Sequence, residues 1–127
     1  MKRTLGLTLL LFATLFSCMR QEKPLPAELS RAESVMWEHP DSALSILRSM
    51  PQSSLSSGKN YATWALLLAQ ARDKVYGKRL PDSLNIPSSD KLVQDAMDYF
   101  EKEGDLKRMA QTYYYKGQLL KDQKKIT

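Results

Sequence analysis

Cysteine and histidine are nearly missing from this sequence, whose 127 residues include one of each. One cysteine cannot form an intramolecular disulfide, and one histidine cannot build a histidine-based metal site. Glycine and proline are sparse too, at five and six residues, so the chain is neither collagen-like nor plainly disordered. The sequence has no glycine-rich phosphate loop, no nucleophile elbow and no cluster of metal ligands. We therefore expect no cofactor, no bound metal and no enzymatic activity.

The sequence also lacks a hydrophobic run long enough to cross a membrane. The uncharged stretch Leu5–Phe16 has twelve residues, whereas a membrane-spanning helix needs about 20. It follows the short positive start Met1–Arg3, and this order is typical of a signal peptide.

The apolar stretch ends in Leu15–Cys18, which resembles the bacterial lipobox. The resemblance implies that residues 1–17 are a lipoprotein signal peptide and that the Cys18 thiol carries acyl chains such as palmitate. It also implies an envelope protein, anchored on the periplasmic side of the inner or outer membrane or at the cell surface. The alternative is an apolar helix with an incidental cysteine. The position of the only cysteine favours lipidation, and stable anchoring needs more than one acyl chain.

Removal of the signal peptide changes how the net charge of +5 is interpreted. Lys2 and Arg3, two of the 19 basic residues, would leave with it. Because much of the excess charge then belongs to the targeting signal, we expect no nucleic-acid partner. Residues 18–26 are polar and include Pro24 and Pro26, which resist a helix, so we predict a flexible tether there.

From Ala27 onward, apolar residues recur every three or four positions, which predicts amphipathic helices. We expect Asp41 and Asp105 to cap the second and fifth helices, and Ser88, Ser89 or Asp90 to cap the fourth. The predicted helices cover about residues 27–39, 41–50, 60–76, 90–103 and 105–127. The third is apolar nearly all round, which predicts packing on more than one side.

The fifth predicted helix carries one apolar stripe. Its members are spaced like one helix face: Leu106, Met109, Ala110, Tyr113, Gly117 and Leu120. Because consecutive residues are about 100° apart on a helix, Tyr113–Tyr115 cannot all point inward. We expect Tyr113 in the core and Tyr114 or Tyr115 partly exposed.

Short connections make neighbouring helices antiparallel, and a row of such hairpins suggests a solenoid of helical repeats. Tyr113 and Gly117, with Ala96 and Phe100 before them, resemble the aromatic, glycine and small residues of tetratricopeptide repeats. The resemblance implies an all-α, right-handed superhelical array of antiparallel helical hairpins over residues 27–127.

The chain departs from the tetratricopeptide pattern at several positions. The first helix lacks the aromatic and the glycine, Leu68 or Ala69 stands where a glycine is expected, and Gly77–Ser88 is an insertion. Together, the lipobox, Glu38–Leu44 and Tyr113–Gly117 resemble tetratricopeptide lipoproteins of Bacteroides-type bacteria.

The last repeat is predicted to be incomplete. Counted from Gly117, the small residue of the paired helix would lie just beyond Thr127. The stripe of the fifth helix would then lack part of its cover. Either the sequence is a fragment or a truncated product, which we favour, or another chain completes the array. Self-association through the uncapped C-terminal helix is one form of the second alternative.

The resemblance implies a concave peptide-binding groove lined by the first helix of each repeat. Transferred from Gly117, it assigns four residues to the groove: Gln111, Tyr114, Gln118 and Lys121. The alternative, that these are ordinary surface residues, stays open. We expect a membrane-anchored, non-enzymatic scaffold or adaptor that acts through protein–protein interaction. The alternative is the N-terminal sensory or scaffold fragment of a longer tetratricopeptide transcriptional regulator.

Overall fold

A computed structural model describes residues 24–77 and 88–126, with side chains up to Lys121. Within these residues all regular secondary structure is helical, which confirms the all-α class and the number of helices. The five helices are α1 (Ala27–Val35), α2 (Pro40–Arg48), α3 (Gly58–Tyr76), α4 (Ser89–Glu103) and α5 (Leu106–Ile126). One turn of 3₁₀-helix, Gln52–Leu55, lies between α2 and α3.

Several predictions concern residues outside this description. The signal peptide, Cys18 and the first part of the tether lie outside the described residues, as does 78–87 of the predicted insertion. Among the helices that are described, none has the length and hydrophobicity needed to cross a bilayer.

Polar side chains cap the N-termini of three helices. Ser57, Ser88 and Asp105 each accept a hydrogen bond from the backbone N–H three residues later, at 3.1–3.3 Å. Each bond satisfies one N–H that has no acceptor within its own helix. At the end of α4, Gly104 adopts a left-handed conformation with φ of 72°, which suits glycine because it has no Cβ. The predicted caps Ser88 and Asp105 are therefore confirmed.

The connection between α1 and α2 differs from the prediction. α1 ends at Val35, earlier than expected, and the chain turns before Pro40. His39, not Asp41, occupies the position before the first turn of α2, and its side chain makes no capping hydrogen bond. The reason is Pro40, whose fixed φ suits the first helical position and whose missing N–H costs nothing there. Asp41 instead lies in the first turn, where a negative charge favours the helix dipole.

Neighbouring helices run antiparallel, as the contacts between α3 and α4 illustrate. The Tyr61 hydroxyl donates to Asp95 at 2.8 Å, while Gly58, earlier in α3, lies against Tyr99, later in α4. α3 is central and packs against the other four helices. α1 and α5 each pack against α3, and the Arg108–Glu33 ion pair links α1 to α5. In the described residues α2 and α4 make no helix–helix contact with each other.

The hydrophobic core forms around α3. Ten residues of α3 are buried, which confirms the prediction that this helix packs on more than one side. Ala96 and Phe100 on α4, which resemble repeat positions in the sequence, are also buried, as are Ala43 and Leu47 on α2.

The face that α5 turns to the core was predicted wrongly. Arg108, Thr112 and Tyr115 are buried, whereas Tyr113 and Leu120 are each 50% exposed. Tyr115, not Tyr113, is the core tyrosine. The error arises because two polar residues are buried with their polar groups satisfied: Thr112 donates to the Met109 carbonyl at 2.7 Å, and Arg108 is paired.

The predicted stripe of α5 is therefore largely uncovered in the described residues, although Met109 packs partly against the core. We call its outward residues the open stripe: Leu106, Ala110, Tyr113, Gly117 and Leu120. A Cβ built at Gly117 would have no atom within 4 Å, so no described residue makes close contact with this glycine.

Candidate functional site

A cavity of about 390 Å³ lies between α1, α3 and α5. We call it the inner groove. α1 and the turn after it contribute Glu33, Met36 and Trp37, α3 contributes Gln70, Asp73 and Lys74, and α5 contributes Ala110, Gln111, Tyr114 and Tyr115. Its lining therefore combines aromatic rings, amides and charges of both signs.

Trp37 is the most exposed large side chain at this groove, with 80% of its surface accessible. It lies in the turn after α1, where nothing in the core requires an indole. The Lys74 ammonium lies 3.5 Å from the centre of its ring. Such a cation–π contact is worth about 0.5–1 kcal/mol at an exposed site, so it orients the ring without burying it.

Tyr114 is the second exposed aromatic residue of the groove, at 59%. Its ring meets the buried Tyr115 ring edge-on, with ring centres 5.1 Å apart. The Gln118 amide donates to the Tyr114 hydroxyl at 2.9 Å. Because contacts at both ends hold the ring, it is positioned before any ligand arrives.

Tyr115 forms part of the groove wall. Burial, together with the Asp73 carboxylate and the Tyr114 hydroxyl, raises the pKa of Tyr115 to about 12. The phenol therefore stays protonated and neutral at physiological pH.

The two amides of the lining differ in their surroundings. Gln70 on α3 is buried, whereas Gln111 on α5 is half-buried. The Gln111 carbonyl oxygen accepts a hydrogen bond from Arg108 Nη1 at 3.0 Å. This bond fixes the orientation of Gln111 and uses only its acceptor, so its two N–H groups can serve a ligand.

An ion pair links α1 to α5 at the edge of the groove. Arg108 Nη1 and Nη2 donate to the two carboxylate oxygens of Glu33 at 2.5 and 3.1 Å. The arginine side chain is 10% exposed and the glutamate 34%. This two-pronged geometry is the strongest form of carboxylate pairing and sets the distance between the two helices.

The four residues assigned to the groove by sequence fall into three groups. Gln111 and Tyr114 line it. Gln118 contacts Tyr114 without lining the cavity. Lys121 is exposed and is not part of the lining.

Trp37 and Lys74 line the groove and Arg108 lies at its edge, and none of the three was predicted from the sequence. One signal could have identified Trp37: it lies off the α1 stripe of Leu29, Ala32 and Met36, so the core does not account for it. No local signal could have paired Arg108 with Glu33, which is 75 residues away.

Other surface features offer less for recognition. A cavity of about 760 Å³ lies beside Pro24, the start of α3 and the end of α4, and Tyr99 and Phe100 are its aromatic residues. Phe100 belongs to the core, and Tyr99 packs on Gly58. In the part of the chain that the structure describes, no three His, Cys, Asp or Glu residues lie close enough to hold a metal ion.

Comparison of the chain with protein-family models, with curated proteins and with solved structures finds no match. The sequence motifs and the groove therefore carry what can be inferred about function.

Proposed function

We propose that this chain is a membrane-anchored protein of the tetratricopeptide type that binds an extended segment of a partner protein in the inner groove. It acts as a scaffold or adaptor and performs no chemistry of its own. The observation that carries the proposal is the pair of exposed rings, Trp37 and Tyr114, in one groove formed by three helices.

The order of helix contacts supports the repeat architecture. α3 contacts both α1 and α5, whereas α2 and α4 make no contact with each other in the described residues. In a tetratricopeptide array the first helix of each pair lines the concave surface, and this role fits α1, α3 and α5. Ala96 and Phe100, buried on α4, fit the small and aromatic positions of a second helix.

The chemistry of the groove fits an extended peptide. Exposed aromatic rings provide apolar contact at low entropic cost, and tryptophan and tyrosine are enriched among residues that dominate binding energy. An extended peptide also presents unpaired backbone N–H and C=O groups, which amides such as Gln70 and Gln111 can satisfy. Asp73 and Lys74 add one charge of each sign, which would select among peptide side chains.

The anchoring part of the proposal depends on Leu15–Cys18. Acyl chains on Cys18 would hold the domain at a membrane surface on the periplasmic side or at the cell surface, with the residues up to Pro26 as a tether. A partner bound in the groove would then be retained at that membrane.

The groove is tested by screening the chain against an array of random peptides. We expect a set of retained sequences, each bound at least about 30-fold more weakly by Trp37→Ala and by Tyr114→Ala, since hot-spot aromatics contribute about 2 kcal/mol or more. Tyr113→Ala is the matched control, because Tyr113 is a tyrosine of similar exposure on the same helix outside the groove. Binding that all three variants retain, or an array that retains nothing, would refute the proposal.

The anchor is tested separately with Cys18→Ser. The wild-type chain should incorporate labelled palmitate and enter the detergent phase, and the variant should lose the label. Labelling that survives the substitution would exclude Cys18 as the lipidation site.

A further inference from the structure

One buried side chain of the inner groove has hydrogen-bonding groups that the fold does not use. Gln70 is 8% exposed and lines the groove, and its side chain makes no hydrogen bond to any described residue. Other buried polar groups do bond: the Thr63 and Thr112 hydroxyls donate to backbone carbonyls at 2.7 Å, and Arg108 is paired with Glu33. Because a buried amide without a protein partner costs free energy, Gln70 calls for an explanation.

The Gln70 amide is open to the groove and is not sealed in the core. In the described part of the chain, no fully enclosed nitrogen or oxygen that lacks a hydrogen bond belongs to Gln70. Since this amide has no protein partner and is not enclosed, it is accessible from the cavity that Gln70 lines. A carboxamide offers an acceptor oxygen beside two donor N–H groups. A ligand in the groove can therefore bond to both ends of the amide at once.

Gln70 lies on the central helix of the groove, between elements that each contribute an exposed ring. α3 packs against both α1 and α5, Trp37 lies in the turn after α1, and Tyr114 lies on α5. Lys74, four residues after Gln70 and so on the same face of α3, lies 3.5 Å from the centre of the Trp37 ring. An extended chain that reaches both rings therefore passes Gln70 with its backbone.

We propose that Gln70 is the specificity-determining residue of the inner groove and that it pairs with the backbone N–H and C=O of one extended, non-proline residue of the partner segment. The Gln70 Nε2–H donates to that carbonyl, and Oε1 accepts from that N–H. In an extended chain one residue presents both groups to the same neighbour, as in the hydrogen-bonded pairs of antiparallel strands. Proline has no N–H and is excluded at this position. The assignment of Gln70 rests on the proposed function and adds the backbone feature that the groove recognises.

Gln111 does not duplicate this role. Its carbonyl oxygen already accepts a hydrogen bond from Arg108 at 3.0 Å, so its N–H groups are the ones left for a ligand. Gln111 can therefore bond to a peptide carbonyl whether or not the residue is proline. Gln70 is the amide that distinguishes a residue with an N–H from one without it.

The first test needs no ligand and compares Gln70→Met with the wild-type chain by urea unfolding, followed by circular dichroism. Methionine keeps the unbranched shape and the helix propensity of glutamine but has no amide. We expect the unfolding midpoint to stay the same or rise, because no hydrogen bond within the chain is lost. A lower midpoint would show that the amide stabilises the fold and would overturn the proposal.

The second test measures binding of the peptide that the array retains best. Gln70→Met should bind it at least about tenfold more weakly, the expected effect of losing a pair of hydrogen bonds. Thr63→Val is the matched control, because Thr63 is buried on the same helix outside the groove, and its affinity should be unchanged. N-methylation of the peptide backbone at one position should weaken binding to the wild type. It should weaken binding to Gln70→Met much less, since both changes remove the same bonds.

The outcomes separate Gln70 from the groove as a whole. If Trp37→Ala weakens binding and Gln70→Met does not, the assignment of Gln70 is overturned while the groove stands. It is also overturned if the loss in Gln70→Met couples to alanine replacement of an asparagine or glutamine in the peptide and to no N-methylation, because Gln70 would then pair with a side chain. Binding that survives both Trp37→Ala and Tyr114→Ala, or an array that retains nothing, refutes the proposed function and the assignment together.

Discussion

Replacing Arg108 with alanine tests whether α1 and α5 are held together across the inner groove by a specific ion pair. The substitution removes both hydrogen bonds to Glu33 and the bond to the Gln111 carbonyl. It also removes an aliphatic stem that packs in the protein interior, since the arginine side chain is 10% exposed.

The expected loss of stability follows from how deeply Arg108 and Glu33 are buried. Removing one member of a fully buried pair costs about 3–5 kcal/mol, because the other charge is left without a partner. Glu33 is about one-third exposed, so water can partly rehydrate its carboxylate and reduce the cost. We expect Arg108→Ala to lower the free energy of unfolding by about 2–3 kcal/mol, between these limits.

Urea unfolding of the full chain, followed by circular dichroism, measures this loss. Arg31→Ala is the matched control, because Arg31 is an exposed arginine on α1 and should change the stability by less than about 0.5 kcal/mol. A double-mutant cycle with Glu33→Gln should give a coupling energy of about 1–2 kcal/mol. Equal losses in Arg108→Ala and Arg31→Ala, or a coupling energy near zero, would refute the reasoning.

Two further predictions concern glycine and tyrosine chemistry. Gly117→Ala should raise the free energy of unfolding of the monomer by about 0.5–1 kcal/mol, since alanine is the better helix former and its Cβ meets no atom. Gly58→Ala should gain less stability or lose some, because its Cβ would lie 3.0 Å from the Tyr99 ring. Both are measured by urea unfolding, and equal gains would contradict the difference in packing. Because the pKa of Tyr115 is raised from 10.0 to about 12 in the folded chain, its contribution to stability should be complete below pH 10 and fall by up to about 3 kcal/mol as the pH rises to 12. Unfolding measured from pH 8 to 12 should show this loss, and Tyr115→Phe should remove that part of it; an unchanged profile in the variant would be inconsistent with a buried phenol.

Local sequence signals identified most of the helices of this fold. Ser88, Asp105 and Gly104 act through bonds or conformations within a few residues of their own position, so their effects can be read from the sequence. The sequence predicted the end of α1 and the start of α2, on either side of the turn before Pro40, less accurately. Pro40 can begin a helix as well as end the preceding one, and that choice moved the start of α2 ahead of Asp41.

The orientation of α5 could not be read from its own sequence. Periodicity treats Arg108 and Thr112 as surface residues, and it therefore selects the stripe that contains Tyr113. The structure buries both because Arg108 meets Glu33 on a distant helix and Thr112 bonds its own backbone. Long-range pairing of this kind depends on tertiary packing.

The sequence predicted only part of the candidate groove, because the rest also depends on tertiary packing. Gln111 and Tyr114 follow from the repeat register, because they lie on one face of one helix. Trp37 and Lys74 come from different helices and meet only when α1 packs on α3. A sequence without recognisable repeats in its first helices gives no register from which to place them.

The most direct test of the central claim, that the inner groove binds peptide, uses Trp37 itself as the reporter. The chain has two tryptophans, so Trp64→Phe leaves Trp37 as the only indole. Titration with the peptide that the array retains best should shift the Trp37 emission to shorter wavelength in a saturable manner, because the ring leaves water. Tyr114→Ala should weaken that titration at least about 30-fold, and Tyr113→Ala should leave it unchanged. Emission from Trp37 that stays constant while the peptide is shown to bind would place the binding site elsewhere and contradict the account.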